Sequence, residues 1–326
     1  MATKLEQSLT RQKRTAAGVL VPLFEKYHQE FHSEHWDQDD TEWLHGLMDR
    51  VAKREESRAT ETVFSPSGLG GCLRQVFLAK NYKELGIPRK VVKKIETHFY
   101  FENGSWLHLK IQLKLYKLHK MGEIELLGTE IPLESKHKDN KGTLDVCFRK
   151  DGYVYGMDFK GWNTRWFMAL AKGDCPMSAQ IQLANYIILA NAGKVWSSNG
   201  ENDRTLPRID KGLILAENKS GPVQGFPAAV SEYEIPLELL KPLVRERLGR
   251  LRSHEEEGTI PKAECYSTTQ KDFRECAFRS YCRKEVEAVE RKSARRDSAR
   301  GETKVATPNR SDRTRRNSKR RGLRST

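Results

Sequence analysis

The chain has 326 residues, and its 58 lysines and arginines against 44 acidic residues give a formal net charge of +14. This length can bury a large core in one big domain or two smaller ones. No apolar run approaches the roughly 20 residues that a membrane-spanning helix requires. Residues 1–14 contain no apolar segment typical of a secretory signal. We therefore expect no membrane association and a cytoplasmic location.

The C-terminal residues are strongly basic. Residues 284–326 carry 15 lysines and arginines against 6 acidic residues and contain no aromatic residue. Such a composition buries too little apolar surface to offset its ordering entropy, which predicts a basic disordered tail over 284–326. A tail of this kind binds polyanions, nucleic acid above all, by counterion release. The alternative is a tail for solubility or targeting.

Helices are predicted in the first third of the chain. Residues 1–62 form an N-terminal helical region, with two helices that break near the acidic run Asp37 to Asp40. His28 and His32 have a spacing that can share a metal, but no further ligand completes a site, so solvated surface is the alternative. Residues 65–82 read as a turn and an amphipathic helix, and residues 104–120 as another helix.

A strand-rich block follows. Alternating or apolar patterns predict strands, and a helical pattern predicts helices. The order indicates an α/β fold in which helices flank a mixed sheet. The predicted strands are 123–133, 142–149, 153–161, 211–217 and 230–236, and the predicted helices are 178–192 and 237–253.

One hairpin can be predicted in register. Asp151-Gly152 is the favoured two-residue type I′ loop, and it makes the numbers of facing residues sum to 303. Asp145 then lies opposite Asp158, with Lys160 on the same face, while Leu144 faces Phe159 on an apolar side. Opposed carboxylates about 5 Å apart repel each other, and a hard Mg²⁺ or Mn²⁺ would compensate them. A solvated face with scattered charges is the alternative.

Four short motifs in order resemble those of a known superfamily. Gly142-Thr-Leu-Asp145 followed by Asp158-Phe-Lys160 is similar to the split acidic core of PD-(D/E)xK nucleases. Gly104-Ser-Trp-Leu-His108 resembles the G-x-x-x-H element of the RecB-like branch, and Gln182-Leu-Ala-Asn-Tyr186 its Q-x-x-x-Y element. The resemblance covers residues 63–283 as one nuclease domain.

The resemblance implies a restriction-endonuclease-like α/β core and assigns roles to residues. His108, Asp145, Asp158 and the carbonyl of Phe159 would hold one or two Mg²⁺ or Mn²⁺ ions. Lys160 would orient water or stabilise the transition state, and Gln182 and Tyr186 would position the strand. Trp162 and Trp166 are candidates for base stacking, with core packing as the alternative, and Arg165 for phosphate contacts.

The cysteines extend the resemblance to the iron-sulfur exonucleases of the AddB and CRISPR-adaptation types. In those proteins one cysteine precedes the core and three follow it. Cys72 matches the leading position, and Cys276 and Cys282 match the trailing pair. The usual third trailing position is Phe273 here, and the nearest substitute is Cys265. The resemblance thus implies a 4Fe-4S cluster in a cysteine-rich C-terminal segment, with Zn²⁺ or free thiols as alternatives. Cys147 and Cys175 are interpreted as structural.

The function that this pattern implies is a metal-dependent DNA exonuclease, in a phage or bacterial setting of DNA processing, recombination or repair. Its expected partner is single-stranded DNA or the ends of a duplex. A structure-selective endonuclease is one alternative. A non-catalytic nucleic-acid-binding protein on a nuclease scaffold is the other, although a binding protein has no need of two repelling acids.

Overall fold

The computed structural model describes residues 18–30, 37–58, 63–90, 95–192, 206–226 and 228–302, and the account below concerns these residues. They form a five-stranded mixed sheet with helices on both faces, in the order β1-β2-β3-β4-β5. The α/β class and the mixed sheet flanked by helices are therefore confirmed. The strands are β1 (Glu125–Glu134), β2 (Lys141–Lys150), β3 (Tyr153–Trp162), β4 (Lys211–Asn218) and β5 (Val230–Glu234).

The helices lie close to the positions that the sequence predicts, with three additions. The short helices α5 and α8 and the helix α9 carry no distinct prediction. None of the described helices is both long and apolar enough to cross a membrane. The helices are α1 (Val21–Glu30), α2 (Gln38–Arg58), α3 (Leu73–Asn81), α4 (Ile95–Lys120), α5 (Thr164–Ala171), α6 (Met177–Asn191), α7 (Leu237–Glu256), α8 (Lys271–Glu275) and α9 (Arg279–Glu302).

The β2–β3 hairpin has the predicted turn and register. Asp151 and Gly152 adopt φ values of 49° and 80°, the left-handed pair that a type I′ turn requires. Val146 pairs with Met157, and the ladder continues to the turn with facing numbers that sum to 303. The hairpin is antiparallel, as is β1 against β2, whereas β4 adds to β3 in parallel after the crossover through α5 and α6.

Each face of the sheet carries its own core. On one face α1 and α4 cover side chains of the hairpin, where the Phe148 and Tyr155 rings stack with centroids 5.0 Å apart. On the other face α3, α6 and α7 cover a larger core. Burial of both faces explains why β4 is apolar almost throughout, since a strand that is covered on both sides has no solvated face.

One expected pair across the hairpin is wrong. Leu144 packs in the core that α3, α6 and α7 cover, whereas Phe159 packs in the core that α1 and α4 cover. The two side chains therefore lie on opposite faces of the sheet. The regular ladder stops at Val146 and Met157. Beyond them the backbone N–H of Phe159 donates to the side chain of Asp145, which replaces a strand-to-strand bond and lets β2 and β3 diverge.

The predicted N-terminal helices and the predicted C-terminal tail compare differently with the structure. In the predicted N-terminal helical region the structure has α1 and α2, and the acidic run Asp37 to Asp40 lies at the start of α2. Residues 31–36 and the side chains of His28 and His32 fall outside the described set. The predicted start of a disordered tail at 284 does not match the fold, because α9 continues to Glu302. Its early turns are anchored by Val286, which is buried with Phe273. Residues 303–326 lie outside the described residues.

Candidate functional site

Two carboxylates lie buried where β2 and β3 diverge. Asp145 is 7% exposed and Asp158 only 2% exposed. The Oδ2 atom of Asp145 accepts the N–H of Phe159 at 2.7 Å, so the Asp145 carboxylate is held against the strand that carries Asp158. The structure thus brings together the two acids that the hairpin register places opposite each other.

The buried charges at this site affect the pKa values of their neighbours. Burial raises the pKa of Asp158, Lys160 acts to lower it and the Asp145 charge raises it further, with a result of about 6. Burial alone would lower the pKa of Lys160, but the charges of Asp158 and Asp145 outweigh that effect and raise it. The ammonium of Lys160 is therefore the counter-ion that stabilises this buried pair of acids.

Helix α6 places two more of the predicted site residues, Gln182 and Tyr186, beside Asp158 and Lys160. The Nζ of Lys160 donates to Oε1 of Gln182 at 3.1 Å, and Nε2 of Gln182 lies 2.9 Å from the Tyr186 hydroxyl and 3.4 Å from Oδ1 of Asp158. Gln182 and Tyr186 are four residues apart, which places them on one helix face. Asp158, Lys160, Gln182 and Tyr186 form one connected hydrogen-bonded set, which we call the acid–lysine set.

A glycine makes room for the Tyr186 ring. A Cβ built on Gly142 would lie 2.4 Å from Cε1 of Tyr186 and 2.9 Å from Cγ of Pro66. Real Cβ atoms do not approach carbon atoms this closely, so a residue larger than glycine would displace the ring. Gly142, the first residue of the Gly-Thr-Leu-Asp motif, therefore has a physical role in the position of Tyr186.

His108 reaches the acids from the other face of the sheet, from helix α4. Its Nδ1 lies 3.7 Å from Oδ2 of Asp145. Its ring meets the Phe159 ring edge to face, with centroids 4.9 Å apart and planes at 82°. The Phe159 side chain thus supports His108, while its backbone N–H binds Asp145.

Glu130 on β1 joins this group, although no motif includes it. Ligand atoms of His108, Glu130 and Asp145 all lie within 4.8 Å of one another, close enough to hold a metal ion. Asp158 is not in that group and is held instead by Lys160 at 2.7 Å. The sequence signal that could have found Glu130 is its register opposite Asp145, but that register depends on the pairing of β1.

Exposed aromatic and basic residues lie next to the site in sequence. Trp166 on α5 is 45% exposed, and Trp106, two residues before His108, is 59% exposed. Trp162 is partly buried against the α6 core, so of the two predicted stacking candidates it is the one that packs. Arg165 is exposed on the first turn of α5. Two tryptophans close in sequence to the site residues are therefore exposed to solvent.

The four predicted cysteine ligands line one cavity. Cys72 precedes α3, Cys265 lies before α8, Cys276 follows α8 and Cys282 is on α9. All are free thiols. Burial, together with the charges of neighbours that include Cys72, Cys276 and Cys282, raises the pKa of Cys265 to about 11. Cys265 therefore lies within electrostatic reach of the other three despite its unusual spacing.

Arg74 holds this cavity together. It is buried and donates through Nε to the carbonyl of Pro261 and through Nη1 to Oε2 of Glu285, at 2.5 and 2.6 Å. Nη1 also lies 3.7 Å from Sγ of Cys282. One side chain near the start of the described core thus fixes three points of the C-terminal segment.

The other two cysteines lie outside this cavity. Cys147 is fully buried in the sheet, and burial raises the pKa of its thiol to about 12. Burial also raises the pKa of Cys175, and the nearby charge of Asp158 raises it further. Both thiols are protonated under ordinary conditions, as a structural role requires.

Comparisons with known proteins do not assign a family. No family model matches the chain, and no curated protein matches it. Among solved structures it is similar to one described as the crystal structure of SSO0001, with a TM-score of 0.38 and 16% sequence identity over 74% of this chain and 95% of that chain. A similarity at this level carries no functional argument, so function has to be argued from the site.

Proposed function

We propose that this chain is a metal-dependent deoxyribonuclease that hydrolyses phosphodiester bonds, and that it acts as an exonuclease. The observation that supports this most is the acid–lysine set, in which Lys160 lies between the buried Asp158 and Gln182. Buried acids whose pKa is raised beside a specific charge partner cluster at reaction centres. The order of the motifs along the sequence supports the same reading.

The residues suit a hard divalent cation. His108, Asp145, Asp158 and the carbonyl of Phe159 offer nitrogen and oxygen ligands, which Mg²⁺ and Mn²⁺ prefer. The charge of Asp145 raises the pKa of the buried Asp158, and a bound positive charge would offset this repulsion. The cation would supply Lewis-acid activation of water and of the scissile phosphate.

The protein side chains have separate tasks in this proposal. Lys160 orients the attacking water or balances the charge that develops on the phosphate. Gln182 and Tyr186 place a strand across the acids, with the Tyr186 hydroxyl held by Nε2 of Gln182. Trp166 and Arg165 contact the strand beyond the site, by stacking and by binding phosphate.

We also propose that the four-cysteine cavity holds a 4Fe-4S cluster, with Zn²⁺ as the alternative. The fit rests on four free thiols that line one cavity and on Arg74, which offers positive charge to Cys282. Such a group would join the start of α3 to the C-terminal segment and supply stability. Visible absorption with an iron and zinc assay on anaerobically purified protein separates the cluster, zinc and metal-free thiols.

The expected partner is single-stranded DNA or the end of a duplex, in DNA processing, recombination or repair. A phage or bacterial setting and a cytoplasmic location belong to the same proposal. The six free thiols support a reducing compartment.

The test is digestion of end-labelled linear DNA and of covalently closed circles with Mg²⁺ or Mn²⁺. Wild type should degrade linear DNA from its ends and leave circles intact. Asp158→Asn should lose about 100-fold or more in rate. The matched control is Asp151→Asn, since Asn suits the same hairpin turn, far from the acids.

Three other results are possible, and each leads to a different conclusion. Equal cleavage by wild type and Asp158→Asn contradicts the active-site assignment. Cut circles identify an endonuclease. Salt-sensitive DNA binding without metal-dependent cleavage identifies a non-catalytic binding protein.

A further inference from the structure

Residues 135–140 connect β1 to β2, and we call them the basic turn. Its three consecutive residues Lys136, His137 and Lys138 are all exposed. Exposed charges most often form a solvated surface, as charged side chains do on any protein. Charge balance, position and backbone geometry distinguish this turn from such a surface.

The acids next to these lysines are already paired. Oε1 of Glu134 lies 3.1 Å from Nζ of Lys141, and Oδ2 of Asp139 lies 2.6 Å from Nε of Arg252. Neither acid is therefore available to neutralise the lysines of the basic turn. Excess positive charge on a surface favours a polyanion, whose counterions are released on binding.

The basic turn lies at the same end of the sheet as the acid–lysine set. Because β2 and β3 are antiparallel, β2 begins where β3 ends, at the end that carries Lys160. Nδ2 of Asn140 donates to Oδ1 of Asn185 at 3.0 Å, and Asn185 is the neighbour of Tyr186 on α6. The backbone of Gly142 lies against the Tyr186 ring. The turn is thus attached to the residue that the proposed function uses to position a strand.

Hydrogen bonds fix the backbone of the turn. The N–H of Ser135 donates to the carbonyl of Asn140 at 2.8 Å, and the N–H of Lys138 donates to the carbonyl of Ser135 at 2.9 Å. Oγ of Ser135 donates to Oδ1 of Asp139 at 2.6 Å, and the N–H of Phe64 donates to the carbonyl of Asp139 at 2.7 Å. A backbone that is already ordered loses less conformational entropy when its side chains bind a partner.

Lys138 has a strained backbone. Its φ of 56° lies in the left-handed region, which glycine and asparagine adopt more readily than lysine. Glycine would therefore suit the fold better at this position. Strained residues of this kind are frequent at binding sites, where the side chain is needed despite the cost.

We propose that the basic turn binds the phosphate backbone of the single strand that Tyr186 positions, beyond the bond that is cleaved. Lys136 and Lys138 each contribute one phosphate contact. Phosphates are the same in every nucleotide, so these contacts add affinity without base preference. The inference rests on the proposed function for the identity of its partner and adds a surface on which the strand continues.

The test is fluorescence anisotropy of a labelled single-stranded oligonucleotide with the full-length chain, in EDTA and at several salt concentrations. Lys136→Gln and Lys138→Gly should each reduce the slope of log association constant against log salt by about 0.7, the value for one phosphate of a single strand. Lys138→Arg keeps the charge and should keep the slope. The losses should be equal for oligonucleotides of different base sequence.

The matched control is Arg208→Gln. Arg208 is exposed and comes just before β4, which begins beside Tyr155 at the other end of the sheet. Its replacement should leave the slope unchanged. Unchanged slopes in both lysine variants, or an equal loss in Arg208→Gln, overturn the proposal.

Thermal unfolding separates binding from a structural role. Lys138→Gly should unfold at the same temperature as wild type or higher, because glycine adopts the left-handed region without a penalty from Cβ. Weaker DNA binding by a variant that is no less stable supports the proposal. A lower unfolding temperature together with weaker binding would assign Lys138 to the fold and overturn its part in the proposal.

The result is separable from the proposed function, since binding in EDTA does not require cleavage. Reduced salt slopes in the lysine variants of a chain that never cleaves DNA support this inference and contradict the nuclease. Cleavage that depends on Asp158, in a chain whose salt slopes ignore both lysines, does the reverse.

Discussion

Lys160 and Asp158, both on β3, form a salt bridge in which Nζ of Lys160 lies 2.7 Å from Oδ2 of Asp158. They are two residues apart, so both side chains leave β3 on the same face. The ammonium also donates to Gln182 on α6. Lys160 therefore links the acids to the helix that would hold a substrate strand.

Replacement of Lys160 tests this link. Lys160→Met should reduce cleavage about 100-fold or more. Because Lys160 lowers the pKa of Asp158 against the effect of burial, its loss should raise that pKa and move the acidic limb of the rate–pH profile to higher pH. Lys211→Met, which removes a lysine paired with Glu234 on the neighbouring strand, is the control. An unchanged rate and profile would remove Lys160 from the mechanism.

Two motif glycines should respond differently to alanine. Gly142→Ala should displace the Tyr186 ring, which lies 2.4 Å from the added Cβ, and reduce cleavage with Mn²⁺ binding retained. Gly104→Ala places its Cβ in open space on α4, so it should leave activity unchanged and stabilise the helix by about 0.5 to 1 kcal/mol. Kinetics and thermal unfolding check both. Equal effects of the two substitutions would contradict the close-approach argument.

The exposed Trp166 should contribute to binding of an unpaired strand. Trp166→Ala should weaken affinity for single-stranded DNA by about 1 to 3 kcal/mol, the usual contribution of one stacked base. Tyr153→Ala is the control, because Tyr153 is also exposed but lies at the hairpin turn, at the far end of β3. Fluorescence anisotropy measures both, and similar losses would show that any exposed aromatic has this effect.

The carboxyl group of Asp139 should make the stability of the fold depend on pH. Burial acts to raise its pKa, but hydrogen bonds from Arg252 and Ser135 outweigh burial and lower it from 3.8. The pKa is thus lower in the fold than in the unfolded chain, so this carboxylate stabilises the fold above pH 3.8 and loses that contribution as pH falls through the lowered value. Asp139→Asn should cost about 1 kcal/mol at neutral pH.

Chemical denaturation across pH tests this. The difference between wild type and Asp139→Asn should shrink steadily below about pH 4. Asp151→Asn, in the exposed turn, should show no such trend. A difference that stays constant in acid would mean that Asp139 contributes through packing rather than charge.

Arg74 should control attachment of the C-terminal segment. Arg74→Met removes bonds to Pro261 and Glu285 and should cost about 2 to 3 kcal/mol. We expect faster proteolysis beyond residue 260 and a lower melting temperature. Arg283→Met, exposed on α9, is the control. Unchanged proteolysis would show that the segment is held by other contacts.

The hairpin and its acids could be read from the sequence because a two-residue Asp-Gly loop fixes the register on both sides. Glu130 could not be placed in this way. Its strand pairs with β2 across a longer connection, and the register shifts between Leu126 and Gly128, so no local signal places it opposite Asp145. The sequence also does not show that Leu144 and Phe159 lie on opposite faces of the sheet. At that point the Asp145 side chain accepts the backbone N–H of Phe159, so the regular pairing of the strands ends.

The remaining misses arise from tertiary context. Helix α5 is a short apolar segment whose start is fixed by Asn163, and such segments resemble buried strands in sequence. Cys265 lines the cavity as expected, although the path of the segment before α8 that brings it there is not encoded by its spacing. The helix beyond residue 284 forms on a charged sequence because Val286 is buried with Phe273.

The contacts of Arg74 join residues between 187 and 211 positions apart. During synthesis on the ribosome, the β2–β3 hairpin can form as soon as it emerges, whereas the cysteine cavity cannot close until α9 has been translated. Any group that the cavity receives can therefore be held by all four cysteines only after Cys282 has been translated, and a product truncated before that residue lacks part of the cavity.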